Sequence, residues 1–571
     1  MLYAQCLPPN ALRICGFENT RTARDTFYRR AKLLFDFDIE PNSLAKAQAA
    51  LLLSYYTTNS HPRTNTHWLN VAIHNAKASR AHLYNKDENV GRMHQVKKRL
   101  WWCCILRDRV LPLGVRRPIQ ITHDHFDFNN HAFTDEDMED EMYWSRVHSP
   151  QIKKVLAKVI AAQCDLAILL TDVLTLLYPL DGSLPTSPES TLEWNKVQAK
   201  ICEHTTELMK WNEKFSMWNL IELYYWSARL ALYNHHILIS DEPNTIMLPT
   251  DGLRSLEASK RETNLALQAI YDTMQNLVSR NRASYLPISV VAFIALPLFL
   301  ATLDVKWPSK ESQAVVLSKR HFDVYNQTLE IGRERYDGTE GVSVYINRIV
   351  MDAESQRQKL QDAIAFWPHS ADHLPDFTKQ EMYKDWRYLF NRSPRFYLRF
   401  IISLDMSISR GQVPQDGDLP SKFRMDKLRN QLIVDLSGPK TDATRTLATI
   451  ISTDAAALPT TSLTTNCGIQ DTGFLTEYCS QLSEIDDQML DDSLSTAPTT
   501  IASADALLPP MDLEYDDFLL NESYATTINN TATTDSDGRG YGSLQEFHDP
   551  FGYIMPESPS TPDLSGTEET N

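Results

Sequence analysis

The chain has 571 residues, long enough to bury a sizeable core and to hold about two to four domains. Its hydrophobic share of 42% and charged share of 23% are ordinary for a globular protein, so neither a fibrous nor a wholly disordered chain is indicated. The formal net charge of −17 is unevenly spread: 23 acids follow Lys440 against only Arg445 and Arg539, which leaves 50 acids and 54 bases before it. A body so close to neutral lacks the electrostatic footprint needed to neutralise nucleic-acid phosphates, and an acidic tail of this kind marks an interaction segment.

In chain order, the body reads as helix after helix. Residues 21–37 place Ala23, Phe27, Ala31, Leu34 and Phe35 at helical spacing. Pro41, Asn42 and Ser43 then supply a stop and a cap before a second helix over 44–56. Thr66 is read as the cap of a third helix, whose face carries Trp68, Val71, Ala72, Asn75, Ala76 and Ser79. A fourth, about 90–111, stops near Pro112 and Gly114. Residues 122–141 form a loop rich in His, Asp and Glu. Further helices are expected over 151–178, 192–212, 220–238, 253–280, 286–303, 315–336, 342–365 and 379–390. Residues 396–406 read as a short helix or an ordered strand, and 411–440 as a linker in which order fades. Beyond 440 the composition shifts to Thr, Ser, Ala and Asp without lysine. Such a segment cannot offset its ordering entropy by burial, so 441–571 is expected to be disordered. The fold class is therefore all-α, a multi-helix body followed by a long acidic tail.

The most information-rich stretch is 98–119. Trp101 and Trp102 lie between Lys98-Arg99 and Arg107-Asp108-Arg109, and Gly114, Arg116, Arg117 and Pro118 follow. So much aromatic area must be buried, and the neighbouring arginines then need partners. These residues read as packing and ion-pair positions. No catalytic residue is indicated, because no nucleophile sits in a G-x-S-x-G turn and no phosphate-cradling glycine loop occurs.

Other candidates are weaker. His123, His125, Asp127 and His131 have metal-ligand types at loop spacing, but no second cluster completes a site. His235 and His236, adjacent on a helix, point to different faces. The dense run of Trp211, Phe215, Trp218, Tyr224, Tyr225 and Trp226 reads as core. The eight cysteines form no C-x2-C pair, so neither a zinc module nor a disulfide framework is expected and the thiols read as reduced. The basic groups at 29–32 and 97–99 read as amphipathic helix margins, with nuclear import as the alternative. Residues 283–303 are apolar and uncharged, which fits a buried helix or a membrane span.

In the tail, 482–494 and 507–520 alternate acids with large apolar residues. The acids keep those apolar groups solvated and free to dock in a partner's groove, the composition of an activation segment. Met511, Leu513, Tyr515, Phe518 and Leu519 are its anchors. Ser558-Pro559 and Thr561-Pro562 are candidate phosphorylation sites.

Trp68, Arg99, Trp101, Trp102, Arg107, Asp108, Gly114, Arg117 and Pro118 together resemble the fungal-specific transcription factor domain. This is the regulatory middle homology region of fungal zinc binuclear cluster activators, and the run looks most like the cutinase transcription factor branch. The best-matched part covers 15–130 within a domain of 1–410. The resemblance implies an all-α nuclear regulator of RNA polymerase II genes, with coactivators, a homo- or heterodimer partner and a small-molecule effector as partners, and no membrane. In that family, zinc and DNA are bound by an N-terminal six-cysteine cluster. The cysteines here cannot build it, so no cofactor is expected in this chain, and promoter DNA only indirectly or through another module. Two other readings stand beside this one: a membrane-associated helical protein anchored by 284–303, and an all-α metal-dependent enzyme using His123 and His125.

Overall fold

Asparagine side chains start the first long helices. After the short α1 (Pro9–Ile14), Asn19 Oδ1 accepts from the Thr22 amide at 2.9 Å and opens α2 (Thr20–Asp36). Asn42 accepts from the Leu44 amide at 2.9 Å and opens α3 (Ser43–Leu53). Each satisfies a first-turn donor that the helix itself cannot. Thr66, expected to cap the next helix, instead lies inside α4 (Thr64–Ala78), and its hydroxyl accepts from Arg117 Nη1 at 2.5 Å.

α5 (Arg92–Val115) carries the tryptophan pair; of the two expected stops it passes Pro112 and ends beside Gly114. Pro112 has no N–H, which leaves the Asp108 carbonyl without its helical donor. Arg109 Nη1 donates to that carbonyl at 3.3 Å, and the helix continues through Gly114. It ends at Arg116, whose left-handed φ of +54° turns the chain away.

The computed structural model describes residues 9–86, 91–128, 132–144, 148–181, 191–215, 219–240, 256–307, 312–365 and 394–428. The remaining α-helices among them are α6 (Glu139–Trp144), α7 (Pro150–Leu177), α8 (Thr191–Phe215), α9 (Asn219–Ser240), α10 (Leu256–Ser279), α11 (Ser289–Lys306), α12 (Ser312–Arg335), α13 (Thr339–Ala365) and α14 (Pro394–Arg410). No strand occurs among the described residues, and the segment expected at 396–406 as helix or strand is helix. The helix expected at 379–390 and the whole acidic tail, with Met511, Leu513, Tyr515, Phe518 and Leu519, lie outside the described residues.

Two large apolar cores form among the described residues, beside a small cluster of Leu12, Ala23 and Phe17. One gathers α3, α4 and the N-terminal half of α5 around Trp68, Trp101 and Trp102. The other is built by α7 to α14. α5 and α7 belong to both: Leu100 and Ile105 face the first core while Val110 and Leu113 face the second, and α7 divides likewise between Ala167 and Leu170. α11 runs through the second core and packs against α5, α10, α12 and α13. Its Phe293, Ile294, Leu298 and Phe299 are at most 2% exposed. α7 and α11 are both long and apolar enough to cross a membrane, yet 78% of the apolar window of α11 is covered by the protein's own helices. The anchor reading of 284–303 is thereby corrected: the segment is apolar because it is the centre of a core.

Candidate functional site

The motif residues divide into a packing set and a wiring set. Trp68 donates its indole N–H to Tyr28 Oη at 3.1 Å, and Trp102 donates to Tyr84 Oη at 3.3 Å. Edge-on rings of Phe126 and Phe128 close over Trp102 at centroid distances of 6.1 and 6.4 Å. Trp101 is wholly buried, and its indole nitrogen has no hydrogen-bond partner among the described residues. Periodicity locates such rings on a helix, and the polar handle of each buried tryptophan decides what must stand beside it.

The arginines are wired to different ends of the body. Arg99 forms a fork with Asp140 on α6, with both contacts at 2.7 Å. Arg107 is buried without a carboxylate; it donates to Ser54 O at 2.7 Å and stacks over Tyr55 at 4.0 Å, and burial pulls it below the usual arginine range. Asp108 accepts from the Ile121 amide at 2.9 Å and from Arg109 Nη1 at 2.7 Å. Burial pushes the Asp108 carboxyl up to about 6, against the pull of Arg109 and two backbone amides. Arg109, read from the sequence as an ion-pair position, is the hub. It also donates to Ile121 O at 2.6 Å, to Ala167 O at 3.2 Å and to Thr171 Oγ1 at 3.1 Å, so it joins α5, α7 and the loop after α5. Arg117 clamps the last turn of α14 by donating to Ser409 O at 2.7 Å, and burial lowers it to about 10.

Where α5 ends, a cavity of about 190 Å³ opens between α9 and α14. Ser227, Leu230, Ala231, Asn234, His235 and Leu238 recur at three- and four-residue intervals, so they share one face of α9 and line it. Leu398, Ile401, Asp405 and Ser409 form the matching face of α14, while Pro118, Arg116 and Leu113 close the α5 end. Arg116 Nε donates to Asp405 Oδ1 at 2.8 Å, and Nη1 donates to the Gly114 and Ala292 carbonyls. Nη2 makes no hydrogen bond among the described residues. Loss of water around it pushes Asp405 above the usual carboxylate range although Arg116 opposes the shift. Tyr397 Oη donates to Asn234 Oδ1 at 3.0 Å. Ser227 Oγ and His235 Nδ1 are buried with no hydrogen-bond partner among the described residues. Burial lowers His235 to about 4, so it is neutral near pH 7. Asp405 was not foreseen as the partner of Arg116 because the two are 289 positions apart in the chain.

The histidine readings resolve differently. His235 lines the cavity while His236 pairs with Ser259 Oγ of α10 at 2.7 Å, so the two do point to different faces. His123 pairs with Asp172 at 3.1 Å, and His125 Nδ1 lies 3.0 Å from Thr122 Oγ1. His131 lies outside the described residues. Among the described residues no three His, Cys, Asp or Glu side chains converge as metal ligands, so the metal-enzyme reading gains no site here. Trp211, Phe215, Tyr224, Tyr225 and Trp226 pack in or against the second core as expected, and Trp218 lies outside the described residues.

The described residues thus form an all-α body with buried arginines and a cavity between α9 and α14. Residues 4–213 match the fungal specific transcription factor domain. It is 24% identical to cutinase transcription factor 1 beta of Fusarium vanettenii over 389 residues, 60% of this chain and 43% of that protein. It is 25% identical to cutinase transcription factor 1 alpha of the same fungus over 296 residues, 50% of this chain and 31% of that protein. A transcription factor of Fusarium pseudograminearum is 35% identical over 118 residues, 19% of this chain and 12% of that protein. The chain thus spans less than half the length of these relatives. No solved structure matches it.

Proposed function

We propose that this protein is a nuclear regulator of RNA polymerase II transcription with no catalytic role. In this reading the helical body is the regulatory domain and the acidic tail the activating segment. The observation that carries it is the family match over 4–213, joined in one chain to a tail of 23 acids and two bases. The tail recruits coactivators through Met511, Leu513, Tyr515, Phe518 and Leu519, whose apolar side chains stay solvated between acids until a partner groove takes them. Promoter DNA is reached through a zinc cluster module or a dimer partner rather than through the near-neutral helical body, and a small effector sets the activity.

The test is a reporter assay with residues 441–571 fused to a heterologous DNA-binding domain. Transcription well above the empty fusion is expected, with most of it lost in the Phe518→Ala/Leu519→Ala double variant. Output equal to the empty fusion, or unchanged in the double variant, refutes the activating role.

A further inference from the structure

We propose that the cavity between α9 and α14 binds a small apolar carboxylate, its head group on Arg116 and its hydrocarbon body along α9. The cavity of about 190 Å³ exceeds the ~150 Å³ in which a small aromatic molecule is held dry in an engineered core. It is elongated as well: Ser227 and Leu238 are eleven residues apart on one helix face, or about 16 Å at the helical rise.

Charge selects the sign of the ligand. Arg116 and Arg410 line the cavity against the single carboxylate of Asp405, and neutral His235 leaves this balance positive. An amine would meet two arginines there. A hydrocarbon without a polar group would leave the free Arg116 Nη2 unanswered, and Ser227 Oγ and His235 Nδ1 would stay orphaned in residues only 9% and 8% exposed. Each unanswered buried polar group costs about 1–3 kcal/mol. A carboxylate on Nη2 gains a charge-assisted bond, and a further oxygen along the chain can reach the serine or the histidine.

This site also has a route to the rest of the protein. The Arg116–Asp405 pair ties the end of α5 to α14, and Arg117 holds the last turn of the same helix. A bound carboxylate competes with Asp405 for the guanidinium and so loosens one of these two ties. α14 is the last long helix among the described residues, so occupancy weakens the hold of the body on the C-terminal end of its described fold. That consequence rests on the regulatory reading given above; the binding itself does not.

Calorimetric titration of the full-length protein with octanoate and with 1-octanol decides the matter. Octanoate is expected to saturate one site and to bind roughly tenfold or more tightly than octanol, because only the anion satisfies Arg116. Asp405→Asn removes the competitor and should tighten octanoate; Arg116→Gln should bring it down to the level of octanol; Ala231→Trp should fill the cavity and abolish both. Equal affinity for acid and alcohol, no binding of octanoate, or weaker octanoate binding in Asp405→Asn overturns the proposal. If Arg116→Gln does not fold, Asp405→Asn and Ala231→Trp still give opposite expectations and carry the decision. The titration is independent of transcription, so a silent tail in the reporter assay and an empty cavity in the calorimeter are separate failures.

Discussion

Replacing Trp102 with alanine tests the packing argument most directly. The side chain is 1% exposed, so nearly all of its surface leaves water on folding. A tryptophan buries about 150–250 Å², worth roughly 4–6 kcal/mol at ~25 cal/mol/Å² as an upper bound. Its indole N–H donates to Tyr84 Oη at 3.3 Å, a long bond that adds about 0.5 kcal/mol at most. Emptying large aromatic core sites costs about 3–5 kcal/mol in practice, so about 4 kcal/mol is expected for Trp102→Ala. Trp102→Phe keeps a ring against Phe126 and Phe128 and should cost about half as much. Urea denaturation followed by far-ultraviolet circular dichroism gives both values from the midpoints, provided the slope is unchanged. A loss below about 1 kcal/mol for the alanine variant, or equal losses for the two variants, would refute the reasoning.

Arg109→Met leaves the buried Asp108 carboxylate without its cation and strips donors from Ile121 O and Ala167 O, so it should cost about 3–5 kcal/mol in the same denaturation assay. His235 and His236 are each lowered by burial from 6.5 to about 4, so the unfolded chain takes up protons that the folded chain refuses. Stability from this source is complete above the unfolded value and is lost as pH falls from about 6.5 toward 4, by up to roughly 3 kcal/mol per histidine. Urea midpoints at intervals across that range should trace the fall, and His235→Gln should remove about half of it. Gly16 and Gly411 both hold φ at +79°, but a Cβ at Gly16 meets nothing within 4 Å whereas one at Gly411 would collide with the Pro62 ring. Gly16→Ala should therefore cost about 1 kcal/mol and Gly411→Ala about 1–3 kcal/mol more, and thermal melts of the two variants separate strain from clash.

Periodicity and caps made most of the helices legible, because amphipathic spacing and N-cap side chains are local signals. Asn42 capped its helix where expected, and the apolar run at 283–303 supplies most of α11, which starts at Ser289, after a short turn over Ala283–Tyr285. Local rules failed where a distant or unusual partner intervened. Pro112 did not end α5, since a neighbouring guanidinium took over the donor that proline lacks. Thr66 was read as a cap, but its hydroxyl serves Arg117, 51 positions away. The cavity shows the same limit. The helical spacing of Ser227, Ala231, Asn234 and His235 is plain in the sequence, as is that of Leu398, Ile401 and Asp405. Nothing local states that these two faces meet, or that Arg116 stands between them.

The sharing of α5 and α7 between the two cores bears on where this protein can be cut. The family match stops at residue 213, inside α8, so the homology boundary is not a physical one. Ile201, Leu208 and Trp211 of α8 pack with helices that follow, as do Val110 and Leu113 of α5. A polypeptide ending at 213 would present these side chains, with Leu166, Leu170 and Leu174 of α7, to water. Aggregation is the expected fate of such a fragment, whereas one ending after Leu428 keeps every described residue of both cores.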